Sequence, residues 1–179
     1  VTFLGGGVFY SCDSLINAVI GNSVTALSKS SKSINTSNWG KESYKCEGAF
    51  EGCVSLQSVT IGKSVTRIEK DCFAGAGLLS ITIPGNVIDV DEAAFMNCLS
   101  LTKVKIEEGV KTLGKSVFEN CDSLSDISIG KSVVFIGNYA FWDCGKLTYI
   151  FIPSRVASLG AGAFFHCDKL EKVITGNGV

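Results

Sequence analysis

The chain has 179 residues, of which 46% are hydrophobic, and its mean hydropathy is +0.32. This is enough apolar material for one well-buried core and leaves no room for a large second domain, so we expect residues 1–179 to form a single domain. The net charge of −1, from 16 basic and 17 acidic residues, excludes a general electrostatic attraction to nucleic acid or to an anionic membrane.

The N-terminal segment VTFLGGGVFY, residues 1–10, lacks the charged region and cleavage site of a signal peptide, so we expect any signal peptide to lie outside this chain. No apolar run approaches the roughly 18 residues that are needed to span a bilayer. Val1 and Val179 occupy the same position of a repeated unit, so the chain begins and ends in mid-repeat. We interpret it as a segment of a longer repeat protein, or as one whose ends pair with another molecule.

One sequence unit recurs along the whole chain. Its most regular position is a phenylalanine, spaced 23 residues apart except for intervals of 41 and 22 residues near the start. The seven column phenylalanines are Phe9, Phe50, Phe73, Phe95, Phe118, Phe141 and Phe164. Three residues after each phenylalanine comes a cysteine, with Ala76 as the exception in the repeat that is one residue short. The six column cysteines are Cys12, Cys53, Cys98, Cys121, Cys144 and Cys167.

Each unit continues with a leucine and an alternating apolar pair, L-x-x-I-x-I, and then with a second apolar pair. Val104 and Ile106 form one alternating pair, and Val110 and Leu113 form the second apolar pair that follows it. Alternation of period two predicts one short strand per repeat, and parallel stacking of these strands about 4.8 Å apart would bury the apolar columns. We therefore predict a solenoid of about seven coils of 23 residues.

Two features interrupt the pattern near the start of the chain. Residues 28–45 are polar and Ser-rich, and we interpret them as a surface loop, although Trp39 and Tyr44 could fold back or contact a partner. Cys46 and Cys72 lie outside the cysteine column, and stacking in register would bring them near enough for a disulfide, which is possible but not assured. The column cysteines are interpreted as free, buried thiols.

The segment LTYIFIPSRVASLGAGAFFHC, Leu147 to Cys167, shows the unit in full. It resembles the BspA-like, treponemal-type leucine-rich repeat, and the resemblance covers nearly the whole chain except at Ala76 and at the 28–45 insertion. It implies a curved, right-handed superhelix with its parallel strands on the concave face. It also implies an extracellular or cell-surface microbial protein that takes part in adhesion or host contact.

The segment GVKTLGKS, Gly109 to Ser116, matches the phosphate-binding pattern G-x-x-x-x-G-K-[ST]. A phosphate loop needs a strand before it and a helix after it, and the residues that follow Ser116 have no helical periodicity. The repeat assigns Val110 and Leu113 to the core instead. The sequence therefore predicts no nucleotide site.

Other catalytic and metal-binding interpretations have little support. His166, the only histidine, adjoins Cys167 at a turn, but nothing in the repeat supplies a shaped cleft, so we interpret it as a surface residue. The column cysteines come one per coil, whereas zinc sites require spacings such as C-x₂-C. We predict no catalytic residue, cofactor or metal.

The outward positions of the strands are free to bind a partner, because they do not serve the core. The first outward column is Asn17, Ser58, Ser80, Lys103, Asp126, Tyr149 and Lys172, and the second is Val19, Thr60, Thr82, Lys105, Ser128, Phe151 and Ile174. Large side chains replace small polar ones in the last two coils. The candidate partner-binding residues are Tyr149, Phe151, Lys172 and Ile174, with Lys103, Lys105 and Asp126 before them. Trp142 and Phe165 form a second aromatic pair, and Phe135 is predicted on the opposite face from Tyr149.

We therefore expect a non-catalytic module that binds a protein partner, with a host or extracellular-matrix protein as the suspected class. The alternative is an architectural spacer or scaffold whose repeats only set length and which has no dedicated ligand. The two differ in whether the exposed aromatic residues form one patch or are scattered singly.

Overall fold

The computed structural model describes residues 1–29 and 48–176. Over these residues the chain winds through about seven stacked coils without an α-helix, which confirms the predicted parallel solenoid. The hand of the superhelix and the concavity of its strand face remain predictions. Of the 28–45 insertion, Ser28 and Lys29 belong to a strand, and the remainder lies outside the described residues together with Trp39 and Tyr44.

A first strand occupies the alternating apolar pair of each coil. These strands are β2 (Asn17–Val19), β4 (Ser58–Thr60), β6 (Ser80–Ile83), β8 (Lys103–Ile106), β10 (Asp126–Ser128), β12 (Tyr149–Ile152) and β14 (Lys172–Thr175). They form three parallel ladders, β2–β4, β6–β8–β10 and β12–β14. Exposed and buried side chains alternate along strands such as β6, where Ser80 and Thr82 are exposed while Ile81 and Ile83 are buried, whereas all four residues of the last strand, β14, are exposed.

The prediction of one strand per coil needs correction, because the second apolar pair also forms a strand. These shorter strands are β1 (Phe3–Gly5), β3 (Ala26–Lys29), β5 (Arg67–Ile68), β7 (Asp89–Val90), β9 (Thr112–Leu113), β11 (Phe135–Ile136) and β13 (Ser158–Leu159). They pair in parallel in one continuous seven-stranded sheet. Phe135 belongs to this sheet with 41% exposure, whereas Tyr149 belongs to the β12–β14 ladder, and their placement on opposite faces stays a prediction.

The column phenylalanines stack through the core. Ring centroids of successive coils lie 5.0–5.5 Å apart, and the rings are inclined by at most 18° to one another. Offset stacking at this separation suits the quadrupoles of aromatic rings. Phe73, Phe95, Phe118 and Phe141 are fully buried, so one ring per coil forms a continuous spine.

The cysteine column lies beside this spine and donates hydrogen bonds to it. Cys144 Sγ lies 3.3 Å from the carbonyl oxygen of Phe118, which also accepts the backbone N–H of Cys121 at 3.3 Å. The same thiol contact recurs at Cys98, Cys121 and Cys167, at 3.1–3.2 Å. A small apolar residue with a weak S–H donor satisfies the second lone pair of each carbonyl, which explains the recurrence of cysteine.

Phe118→Ala should lower the free energy of unfolding by about 3–5 kcal/mol, because it leaves a cavity between the Phe95 and Phe141 rings. Urea unfolding followed by circular dichroism measures the loss. The control is Phe135→Ala, which removes an exposed ring of β11 and should cost less than about 1 kcal/mol. Equal losses for the two variants would contradict a supporting role for the phenylalanine spine.

Candidate functional site

The strand face of the last two coils brings the four principal candidate residues together. Strands β12 and β14 pair so that Tyr149 lies beside Lys172 and Phe151 beside Ile174. Tyr149 is 43% exposed, Phe151 38% and Ile174 36%, whereas Ile150 between the two aromatic residues is fully buried. The period of two therefore places these side chains outward. Neighbouring strands lie about 4.8 Å apart, so the four residues form one surface, which we call the strand-face patch.

The charged candidate residues lie on the preceding ladder and already interact within the protein. Lys103 Nζ is 2.6 Å from Asp126 Oδ2 across β8 and β10, and Lys105 Nζ is 2.9 Å from Glu107 Oε1. The Lys105 hydrogen bond lowers the pKa of the Glu107 carboxyl. Such exposed ion pairs contribute little to stability. These charges can therefore be re-paired with a partner at small cost.

An open depression of about 460 Å³ lies where β8 and β10 end, lined in part by Lys105, Glu107 and Glu108. Glu108 accepts hydrogen bonds from the Lys131 backbone N–H at 2.9 Å and from Ser132 Oγ at 3.0 Å, and these donors lower its pKa. The polar groups that line the depression thus form hydrogen bonds with one another or with neighbouring residues. Nothing in this depression points to a ligand.

The phosphate-loop lookalike is part of the repeat. Val110 and Leu113 are fully buried, as predicted, and Leu113 belongs to β9. Lys115 Nζ lies 3.4 Å from Glu92 Oε1 in the preceding coil. The residues after Ser116 form turns, so no helix N-terminus is available to receive a phosphate.

We expect calorimetric titration with ATP and magnesium to show no saturable binding, because the apolar residues of the motif are occupied in the core. Lys115→Ala should give the same flat titration and should leave the fold unchanged by circular dichroism. Saturable ATP binding that Lys115→Ala abolishes would overturn this interpretation.

The thiols of the core cysteines are in surroundings that suppress their reactivity as nucleophiles. Burial raises the pKa of Cys98 to about 12 and also raises the pKa values of Cys72, Cys121 and Cys144. Burial likewise raises the pKa of Cys167, the neighbour of His166. A catalytic cysteine requires the opposite shift, since the thiolate is the nucleophile.

The two cysteines outside the column are Cys46 and Cys72. Cys72 is free and fully buried, whereas Cys46 lies outside the described residues. Among the residues at 1–29 and 48–176, no group of three or more His, Cys, Asp and Glu side chains is placed to hold a metal ion.

Cys72, Cys98, Cys121 and Cys144 should resist iodoacetamide in the native protein at about pH 8, because they are buried and protonated. Cys12, which is partly exposed, should be labelled before these four. Mass spectrometry of the labelled protein measures both, and labelling in concentrated guanidinium gives the reference for accessible thiols. A disulfide between Cys98 and Cys121, or rapid labelling of both, would contradict the buried column.

Trp142 and Phe165 meet as the sequence suggested, on the turn that carries the column phenylalanine. Their rings lie 5.6 Å apart and perpendicular to each other. Tyr139 and His166, whose part in this contact the sequence analysis missed, pack against them at 4.9 Å from Trp142 and 4.3 Å from Phe165, respectively. His166 is exposed, as predicted.

His166 stands in a column of turn residues with left-handed backbone, which includes Asn97, Asn120 and Asp143 at φ values of 57–60°. Its own φ is 58°. Asn, Asp and His are the side-chain residues most enriched in this conformation. The left-handed backbone of the turn thus accounts for the residue types of this column. The sequence signal for the column is the recurrence of Gly, Asn, Asp or His two residues after the column phenylalanine.

The repeat geometry agrees with one family of sequences. A BspA-type leucine-rich repeat region, in six copies, matches residues 45–174. The chain belongs to the BspA-type leucine-rich repeat family. No curated protein is similar enough to count as a relative of this BspA-type chain.

Two solved structures share the fold of this BspA-type chain. A leucine-rich cell-surface protein from Faecalibacterium prausnitzii matches 98% of the chain at 27% identity, with a TM-score of 0.70. A leucine-rich repeat protein from Eubacterium ventriosum matches 86% at 21% identity, with a TM-score of 0.52. The matches cover 43% and 59% of those two proteins, so this chain spans about half their length. In the part of the chain that the structure describes, no helix is long and apolar enough to cross a membrane.

Proposed function

We propose that this chain is a non-catalytic protein-binding domain, formed by residues 1–179, of a microbial cell-surface or secreted protein. Leucine-rich repeat proteins are generally protein-interaction modules and are typically non-enzymatic. The similar protein from Faecalibacterium prausnitzii is a cell-surface protein, which supports the same location for this chain. The proposed role is adhesion or host recognition, with a host or extracellular-matrix protein as partner and no cofactor.

The observation that carries this proposal is the chemical contrast along the outward columns of the strands. Earlier coils place Ser58, Thr60, Ser80 and Thr82 at positions that become Tyr149, Phe151, Lys172 and Ile174 in the last two coils. The core does not require this change, because every one of these side chains is exposed. Apolar side chains grouped on a surface are typical of interaction sites.

The composition of the strand-face patch suits a protein partner. Tyr and Phe bury a large area and lose little conformational entropy, so they are favoured anchors at interfaces. Lys172 lies beside Tyr149, and the Lys103–Asp126 pair lies on the ladder of the preceding coils. The charged residues are thus placed to form a polar rim, and re-pairing them would set orientation rather than affinity.

The double variant Tyr149→Ser/Phe151→Ser should weaken binding to the partner about thirtyfold, as expected when a hot spot of about 2 kcal/mol is removed. The measurement is surface plasmon resonance of the immobilised chain against purified extracellular-matrix proteins. Circular dichroism and thermal unfolding should match the wild type, because the two side chains lie outside the core.

Val19→Ser is the matched control, since it removes an exposed apolar residue from the same outward column in an early coil. Its binding should equal that of the wild type. Equal binding by the double variant would exclude the strand-face patch as the contact surface. The absence of binding to any protein of the panel would favour the architectural spacer instead.

A further inference from the structure

A second exposed surface lies on the turns of the last two coils, away from the strand-face patch. Four aromatic side chains meet there, and we call them the turn-side aromatic cluster: Tyr139, Trp142, Phe165 and His166. The ring centroids of contacting pairs are 4.3–6.5 Å apart. Phe165 is 55% exposed, so the cluster presents aromatic surface to solvent rather than adding to the core.

The repeat does not require aromatic residues at these positions. In the preceding coil, the positions equivalent to Tyr139 and Trp142 are Ser116 and Glu119. One coil earlier they are Ala93 and Met96. The same turn therefore forms without aromatic side chains in the two preceding coils. The aromatic residues of the cluster are a feature of the last two coils and are not needed for the turn.

Tyr139 is accommodated at this turn in an unusual way. Its φ of 59° lies in the left-handed region, which a bulky residue rarely adopts. The next coil has Gly162 at the equivalent position, where an added Cβ would come within 2.6 Å of the Tyr139 ring. The missing side chain at Gly162 thus leaves room for the Tyr139 ring over the neighbouring coil.

Two exposed carboxylates border the cluster. Asp143 follows Trp142, and its backbone N–H donates to the Phe165 carbonyl oxygen at 2.9 Å. Asp168 Oδ1 lies 4.0 Å from His166 Nδ1. Among the residues that the structure describes, no lysine or arginine is within ion-pair distance of either carboxylate. The surface therefore combines aromatic rings with two carboxylates that no lysine or arginine of residues 1–29 and 48–176 pairs.

We propose that the turn-side aromatic cluster, with Asp143 and Asp168, binds an arginine side chain of a cationic segment in a partner protein. A guanidinium group is planar and weakly hydrated, so it can stack on an aromatic ring while it pairs with a carboxylate. Charge complementarity favours this occupant over a neutral one, because a guanidinium can form an ion pair with the carboxylates that a saccharide cannot form. This inference goes beyond the proposed function and uses a different surface.

The test is titration of the whole chain with an acetylated, amidated (Gly-Arg)₄ peptide, followed by the fluorescence of Trp142. The background variant Trp39→Phe removes the other tryptophan, so that the signal reports this cluster alone. The matched peptide contains citrulline in place of arginine, which keeps the shape of the side chain and removes its charge. We expect the arginine peptide to bind in a saturable manner and the citrulline peptide to bind at least tenfold more weakly.

Two variants probe the two halves of the surface, with binding measured by calorimetry. Asp143→Asn/Asp168→Asn removes charge without changing shape and should weaken binding about fivefold. Trp142→Leu should weaken it about two- to fivefold, as expected for an exposed cation–π contact. The control is Asp13→Asn, which removes the carboxylate equivalent to Asp168 in the first coil and should leave binding unchanged.

Equal affinity of the arginine peptide for the wild type and the Asp143→Asn/Asp168→Asn variant would overturn the proposal. So would equal binding of the citrulline peptide, or quenching of Trp142 by maltohexaose with no response to the arginine peptide, which would indicate a saccharide site. Because the probe and the residues differ from those of the strand-face patch, failure here leaves the proposed function standing.

Discussion

The hydrogen-bond register between neighbouring coils is the constraint on which the rest of the structure depends. The Phe118 N–H donates to the Ala140 carbonyl of the next coil, and the Phe141 N–H donates to the Ala163 carbonyl, both at 2.8 Å. This offset of one repeat is kept along the chain, so equivalent residues lie next to each other in successive coils. The phenylalanine and cysteine columns become continuous only because of it, and each coil depends on its neighbours to bury its apolar side chains.

The same register arranges the surface, because an outward column is as continuous as an inward one. A change of residue in an outward column alters the surface of one coil without disturbing the core beneath it. The strand-face patch and the turn-side aromatic cluster both depend on this freedom. Both occur within residues 139–174, in the last two coils.

The regular columns made much of the fold predictable from the sequence. Strands β4, β6, β8 and β10 alternate polar and apolar residues over three or four positions, which is enough to indicate an extended segment, and the repeat extends the assignment to β2, β12 and β14. The second set of strands was not predicted from the sequence, because most of these strands have only two residues. Arg67–Ile68 and Thr112–Leu113, for example, are too short to show any period, and their extended form comes from pairing with neighbouring coils.

The candidate surfaces were predictable where a column points outward from a strand, and less so at the turns. The outward direction of Tyr149 and Phe151 follows from the period of two along a strand. The approach of Tyr139 to Trp142 depends instead on a left-handed backbone, which no periodicity in the sequence indicates. A bulky residue in that conformation costs about 1–2 kcal/mol relative to glycine. Contact with the Trp142 ring and the space above Gly162 offset that cost. The conformation of such a turn residue therefore depends on two adjacent coils, since the Tyr139 ring occupies the space that Gly162 leaves by having no side chain.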